Sequence, residues 1–395
     1  MPNIFVLIDA LGWKYLESRE FLGDVLPYRA PLKTVLGFSS GAIPTILTGT
    51  PPSVTGHWNL FYYDPQGSPF RWLRLFQFLP NKVLDNRYTR KILKELGRRV
   101  LGMGPLFDCA VSPALLDKFN YIEKHSIYGP GGIEGSSSIF DKLQQRGIKQ
   151  RIYSYHDLTD AQILERSIQD IRAREASFYF LYLSEMDMFL HMHCNEPEQI
   201  ERRLKFYDEN LRKVLAAARE IDANSTMTVI SDHGMTPIEN RYDLLETITG
   251  LGLKMPQDYL VVYDSTMARF WFFNETARDK VEECLANLPC GRIVPESELR
   301  QLGVFFEDRR FGETVFLLHP AWIVSKSDFN GSGWSPKGMH GYHPDDPYSD
   351  AIFLSTKEPP IPVNTIADVF VCMEDAAGIS SPRAALPKPE RAHVV

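Results

Sequence analysis

Short uninterrupted apolar runs alternate along this chain with longer segments whose apolar residues return every three to four positions. The runs at 4–8, 178–183, 227–230 and 351–354 are built from Ile, Val, Leu, Met, Phe, Tyr, Thr and Ala. Runs of this length and content are the signature of strands buried on both faces of a sheet. Segments 137–145 and 197–221 carry helical spacing, the second long and rich in charge. Such alternation predicts an α/β fold with a mostly parallel central sheet flanked by helices. One α/β unit is expected over residues 1–385, with two insertions and a loose tail at 386–395, where Pro and charge occur without periodicity. The first insertion, about 61–125, is rich in Pro, aromatic and basic residues and reads as a cap. The second, about 253–330, reads as strand pair, helix and strands, a small α+β lobe beside the main sheet.

Composition narrows the class. The chain has 395 residues, 44% hydrophobic and 24% charged, ordinary values for a globular enzyme. Its net charge of −7 argues against general nucleic-acid binding, which needs a basic surface. The five cysteines are scattered and never form a CxxC pair, which points to free thiols in a reducing compartment. The N-terminal apolar run has no basic flank and stops at Asp9, so it reads as a first strand and not a signal peptide. No stretch approaches the length of a membrane span. A cytoplasmic location is the expectation.

Six residues with metal-ligand chemistry then recur where predicted strands or loops end: Asp9, Asp187, His191, Asp232, His233 and His340. Asp187 and His191 are four apart, so one helical face can present both to one ion. Asp232 and His233 follow a strand directly, and His340 lies in a Gly/Pro-rich loop able to fold back over the site. In α/β sheets ligands collect at the carboxyl ends of strands, where Asp9, Asp187 and Asp232 fall. Carboxylate and imidazole ligands suit Zn²⁺ first, with Mn²⁺ or Fe²⁺ also compatible. Between the first two ligands, GFSSGAIPTILTG places Ser39 at the start of a helix. Free N–H groups and the helix dipole there favour a serine alkoxide or a phosphate oxygen. Metal coordination lowers the pKa of a serine that has no adjacent base.

Order and spacing of these residues resemble the alkaline phosphatase superfamily, particularly its type I phosphodiesterase/nucleotide pyrophosphatase branch. The superfamily nucleophile stands nine residues before the Thr of a Thr-Gly pair, the spacing of Ser39 to Thr48. The resemblance extends to RFGETVFLLHPAW, to HGY at 340–342 and to AIFL at 351–354. It implies that Asp187, His191 and His340 hold one metal, and that Asp9, Asp232, His233 and the Ser39 oxygen hold the other. It also implies a phosphoryl-contacting asparagine near residue 60, of which Asn59 is nearest though displaced by one. Departures concern the substrate pocket. Ser39-Ser40-Gly41-Ala42 replaces the branch's Thr-Phe-Pro-Asn, so Ser40 stands as second candidate nucleophile, and Thr34 lies too far from Thr48-Gly49 to serve. Leu190 replaces a glycine and is expected to narrow the pocket, and His343 replaces an aspartate.

Three carboxylates against two divalent ions leave one positive charge, suited to an anionic phosphoryl group. The expected activity is metal-dependent hydrolysis of phosphodiester or pyrophosphate bonds in a small phosphorylated substrate (a nucleotide, nucleotide sugar or lipid-linked phosphate), through a phosphoseryl species on Ser39. A phosphomonoesterase with the same core is the alternative, and a silent metal-binding module the more distant one. Residues 71–100 hold nine Lys/Arg against two acids, interleaved with Trp72, Phe76, Phe78 and Tyr88. This segment is a candidate for peripheral contact with an anionic membrane.

Overall fold

A computed structural model describes residues 1–76, 78–100, 111–154, 158–328 and 335–379. The tail expected at 386–395 lies outside the described residues, as does Cys109. The centre is a six-stranded sheet of β1 (Asn3–Ile8), β2 (Tyr28–Leu32), β3 (Gln150–Tyr153), β4 (Phe178–Leu183), β5 (Thr226–Ile230) and β6 (Ala351–Ser355), in the order β2-β6-β5-β1-β4-β3. β3, β4, β1 and β5 pair in parallel, and β6 runs antiparallel to both β5 and β2. The mostly parallel sheet read from the apolar runs is therefore present.

The strands are apolar on both faces because both faces are covered. Along β1, Ile4, Val6 and Ile8 enter one core cluster, while Phe5 and Leu7 enter another. β4 divides the same way, with Tyr179, Leu181 and Leu183 on one side and Phe178, Phe180 and Tyr182 on the other. Helices α1 (Ser39–Thr48), α2 (Glu185–His193) and α3 (Pro197–Ile221) complete the frame. α3 packs its Leu204, Tyr207 and Leu211 stripe against the first face, and α1 covers the second with Ala42, Ile43 and Ile46. The expected helix at 137–145 spans Ile139–Gln145. Its cap is Ser138, whose hydroxyl accepts from the Asp141 amide in a capping box.

The second insertion forms a four-stranded antiparallel sheet from Tyr259–Tyr263, Met267–Phe272, Thr314–Leu318 and Gly291–Ile293, with the helix Glu275–Ala286 against it. The first insertion closes as an antiparallel pair, Phe61–Tyr63 with Phe119–Tyr121, around the helix Arg87–Arg99. The two insertions share a core: Phe61, Phe70, Leu93 and Phe119 of the cap pack with Leu260, Val262 and Trp271 of the lobe. Arg269, fully buried, crosses this seam, donating to the Asp264 carboxylate and to the Phe61 and Phe311 carbonyls. Cap and lobe thus form one roof at the carboxyl end of the sheet.

Candidate metal centre and active site

Three strand ends and one loop deliver the metal ligands. Asp9 follows β1, α2 follows β4 and carries Asp187 and His191, and Asp232 and His233 follow β5. The loop after Gly338 brings in His340. The residues fall into two groups whose ligand atoms lie within 4.8 Å of one another, Asp187/His191/His340 and Asp9/Asp232/His233. The groups adjoin, because the His233 and His340 rings stack at a centroid distance of 3.8 Å and an angle of 14°.

Local structure fixes each ligand. His191 Nδ1 lies 2.8 Å from the Gly338 carbonyl and His233 Nδ1 lies 2.9 Å from the Gly234 carbonyl. Donation from Nδ1 to a carbonyl leaves the Nε2 lone pair facing the site, the arrangement of a metal-binding imidazole. Nε2 of His191 stands 3.3 Å from Asp187 Oδ1, and Nε2 of His340 stands 3.5 Å from the same oxygen. Nε2 of His233 is 3.2 Å from Asp232 Oδ2 and 3.7 Å from Asp9 Oδ1. Asp232 Oδ1 accepts from the Ala10 and His233 amides, and the Tyr182 hydroxyl donates to Asp9 Oδ2. Ala10 sits at φ 60, strain of a kind that clusters at functional sites. Gly341 (φ +93) lets the chain turn beside His340, since a Cβ there would lie 2.7 Å from Thr266 Oγ1.

The cluster is electrostatically incomplete by itself. Burial, then the charges of Asp232 and Asp187, push the Asp9 carboxyl well above its ordinary range. Burial also raises Asp187, but the imidazoles of His191, His340 and His233 outweigh it and hold that carboxyl low. His340 is driven well below the usual imidazole range by burial and by His233. Asp9 Oδ1, Asp187 Oδ1, Asp232 Oδ2 and His340 Nδ1 are buried with no hydrogen-bond partner. Buried polar atoms left unpaired are costly. Three unpaired carboxylate oxygens, set among three imidazoles in the two groups, fit a pair of divalent cations in both donor type and charge.

Ser39 opens α1 behind Phe38, and no side chain caps the first turn. Its Oγ lies 3.0 Å from His233 Nε2. Ser40 points elsewhere, donating to the Trp58 carbonyl at 2.6 Å, and Thr34 donates to the Asp232 carbonyl at 2.6 Å. Of the three hydroxyls weighed from sequence, Ser39 is the one among the ligands.

A cavity of about 390 Å³ opens over these groups, lined by Asp9, Ser39, Asp187, His191 and His340 on the sheet side. Asn59 lines it too, 1% exposed, its Oδ1 without a hydrogen-bond partner. Leu60, Phe61, Val111 and Val262 supply the roof, and Glu123, Asp264 and Asp328 the outer wall. Asp264 is paired with Arg269 at 2.7 Å. Burial lifts Glu123 and Asp328 to about 7. No Lys or Arg is among the described residues of the lining. Leu190 does not narrow this cavity. It is fully buried in the core beneath α2, and Met188 lines the cavity from that helix together with Asp187 and His191. His343 pairs with Glu298 at 3.1 Å, away from the ligand groups. His193 meets Glu196 at 3.0 Å.

Tyr182, Glu123 and Asp328 were not legible as site residues. Tyr182 is an alternate position of an apolar strand, and only the register of β4 beside β1 puts its hydroxyl on Asp9. The two acids come from the insertions, whose docking no local pattern encodes.

A family model described as "Type I phosphodiesterase / nucleotide pyrophosphatase" matches residues 3–343. Among solved structures, human ectonucleotide pyrophosphatase/phosphodiesterase 5 superposes with a TM-score of 0.68 at 13% identity, covering 98% of this chain and 97% of that one. The murine protein of the same name gives 0.67 at 15% identity, with 96% of each chain covered. An inactive variant of the murine protein in complex with AMP gives 0.67 at 16% identity, again with 96% of each chain covered. At these identities the superpositions speak for the fold. No curated protein sequence matches the chain.

Proposed function

We propose a mechanism and substrate class for this chain, which belongs to the type I phosphodiesterase/nucleotide pyrophosphatase family and is a phosphoric ester hydrolase. The reaction is cleavage of a phosphodiester or pyrophosphate bond with Ser39 as nucleophile. The Ser39 Oγ bonds to phosphorus as the alcohol or phosphate leaving group departs, taking up a proton. Water then cleaves the Oγ–P bond and restores the serine. Asn59 contacts a phosphoryl oxygen from the roof side, its amide otherwise engaged, among the described residues, with Met267 Sδ at 3.8 Å. Two divalent ions, held by Asp187, His191 and His340 and by Asp9, Asp232, His233 and the Ser39 oxygen, would supply positive charge at the phosphoryl oxygens and activate hydroxyl and water. Zn²⁺ is the preferred identity from the imidazole and carboxylate donors.

The observation that carries this reading is the convergence of Ser39 with the unpaired buried carboxylate oxygens of Asp9 and Asp187 on the floor of one cavity, with Asp232 Oδ2 grouped beside Asp9. The lining supports a diester over a monoester. A monoester carries a second negative charge that asks for an added cation, and the described lining offers carboxylates instead of Lys or Arg. Buried free thiols at Cys194, Cys290 and Cys372 support a reducing, cytoplasmic setting.

The test is a pair of aryl substrates, bis(p-nitrophenyl) phosphate and p-nitrophenyl phosphate, assayed on protein whose metal content is measured by elemental analysis. Diester turnover should exceed monoester turnover and stop on chelation. Ser39→Ala should lose at least about a thousandfold in kcat while retaining metal. Near-wild-type turnover by that variant with metal bound would rule out the serine mechanism.

A further inference from the structure

The cap carries a surface that hydrolysis of a small soluble ester does not use. Leu75, Phe78, Val83, Tyr88, Ile92 and Val100 are between 52% and 80% exposed, all within one short stretch of the first insertion. Trp72 and Phe76 of the same insertion are 37% and 41% exposed, and the remaining exposed large hydrophobics among the described residues lie scattered along the rest of the chain. Single exposed apolar residues are ordinary, whereas a concentration of this kind marks an interaction site.

The helix Arg87–Arg99 shows how the surface is built. Leu93 and Gly97, four apart, are buried toward the shared core of cap and lobe. Tyr88 and Ile92, also four apart, project outward, 65% and 67% exposed. Basic residues flank them: Arg87, Lys91, Arg98 and Arg99 are exposed. Arg71, Arg87 and Lys91 form no ion pair among the described residues, while Arg99 pairs with Glu95 at 2.9 Å. Residues 71–100 hold nine Lys/Arg and two acids in a chain of net charge −7, so the positive charge is local and opposite in sign to the rest. Exposed apolar side chains flanked by exposed cations, several of them without an ion pair among the described residues, match the interface of an anionic bilayer, which takes apolar groups to the acyl boundary and cations among its headgroups.

We infer that residues 71–100 dock this enzyme peripherally on an anionic membrane surface. The cap's inner side reaches the cavity through Phe61 and Val111, so docking sets the opening of the site near the headgroup layer. Resting on the phosphodiesterase reading, this directs the activity toward phosphodiesters or pyrophosphates held in a membrane. No helix among the described residues is long and apolar enough to cross a bilayer, so attachment would be reversible and set by charge.

The experiment is sedimentation of the full chain with sucrose-loaded vesicles of phosphatidylcholine alone or with about a third phosphatidylserine. Binding is expected to the anionic vesicles only and to weaken as salt rises. Replacing Arg71, Arg87 and Lys91 together by Gln should reduce partitioning on the order of a hundredfold. Phe78→Ser combined with Ile92→Ser should reduce it at least about tenfold. All these variants should hydrolyse the soluble aryl diester as wild type does, which shows that they fold and that the site is intact. Equal binding by wild type and variants, or no binding to anionic vesicles, would overturn the docking surface while leaving the diesterase reading untouched. So would a wild-type dimer in analytical ultracentrifugation that the Phe78/Ile92 variant abolishes, since the surface would then belong to a second copy.

Discussion

At the residue scale, the ligands and the outer wall of the cavity differ in how they are held. Asp9, Asp187 and Asp232 are surrounded by imidazoles and amide donors, whereas Asp328 is held by the Tyr263 amide at 2.8 Å and is otherwise desolvated. Burial raises its carboxyl from 3.8 to about 7, so the folded protein binds that proton more tightly than the unfolded chain does. The sign follows: the contribution is fully present below about pH 4 and is lost as pH rises through about 7. Asp328→Asn keeps an acceptor for Tyr263 and has no such loss. Full conversion of the shift gives about 4 kcal/mol, and partial solvent access reduces the expected gain to about 1–2 kcal/mol at pH 8. Urea unfolding of metal-free wild type and variant from pH 4 to 8 should show a difference near zero at the acid end that grows with pH. A difference independent of pH would remove this account. Burial of this acid in the cavity wall therefore works against stability at neutral and alkaline pH. Sequence could not reveal that, because Asp328 and Glu123 sit in loops with no periodicity to mark them. The metal ligands were legible because their side-chain chemistry recurs where apolar strands end.

At the element scale, the strand-to-helix turn before Asp187 is held by a residue with no chemical role. Asp160 is fully buried and accepts from the Ser184 amide at 3.0 Å, from the Glu185 amide, and from the Tyr207 hydroxyl at 2.5 Å. It thereby ties the first turn of α2 to α3 and sets the pitch at which Asp187 and His191 present together. Asp160→Ala leaves the Ser184 amide and the Tyr207 hydroxyl buried and unpaired, a cost of about 2–3 kcal/mol. Because α2 carries two ligands, metal affinity should fall by about 10–100-fold, as it does when outer-shell support is removed. Calorimetric titration of chelator-stripped protein with Zn²⁺ measures this. Unchanged affinity in a folded Asp160→Ala variant would show that α2 needs no such anchor. The sequence made the helix visible through the Asp187/His191 spacing. Its orientation was not visible, since that comes from Asp160, whose partners Ser184 and Tyr207 lie 24 and 47 positions from it along the chain. The same limit explains Leu190, whose side of α2 depends on how the helix is rotated over the core.

At the scale of the whole molecule, the sheet makes the metal centre and the insertions make the pocket, and these two jobs have separate cores. Trp271 is the joint. It is 2% exposed, packs against Phe119 and Tyr63 of the cap at centroid distances of 5.3 and 6.0 Å, and donates from Nε1 to the Arg309 carbonyl at 2.9 Å. Trp271→Ala should cost about 3–5 kcal/mol, localised to the seam between cap and lobe. The clusters on either face of the central sheet share no residue with that seam, so Zn²⁺ affinity should stay within about twofold of wild type. The cap, no longer clamped, should be cut first in limited proteolysis, within 61–125. The KM for an aryl diester should rise while the chelator-sensitive kcat changes less, because the roof contributes binding surface and the floor contributes chemistry. The reverse result, lost metal with an intact cap, would mean that roof and floor fold as one cooperative unit. A roof that can loosen independently of the floor is also what an enzyme needs if its cap must settle into a bilayer while its ligands stay in register.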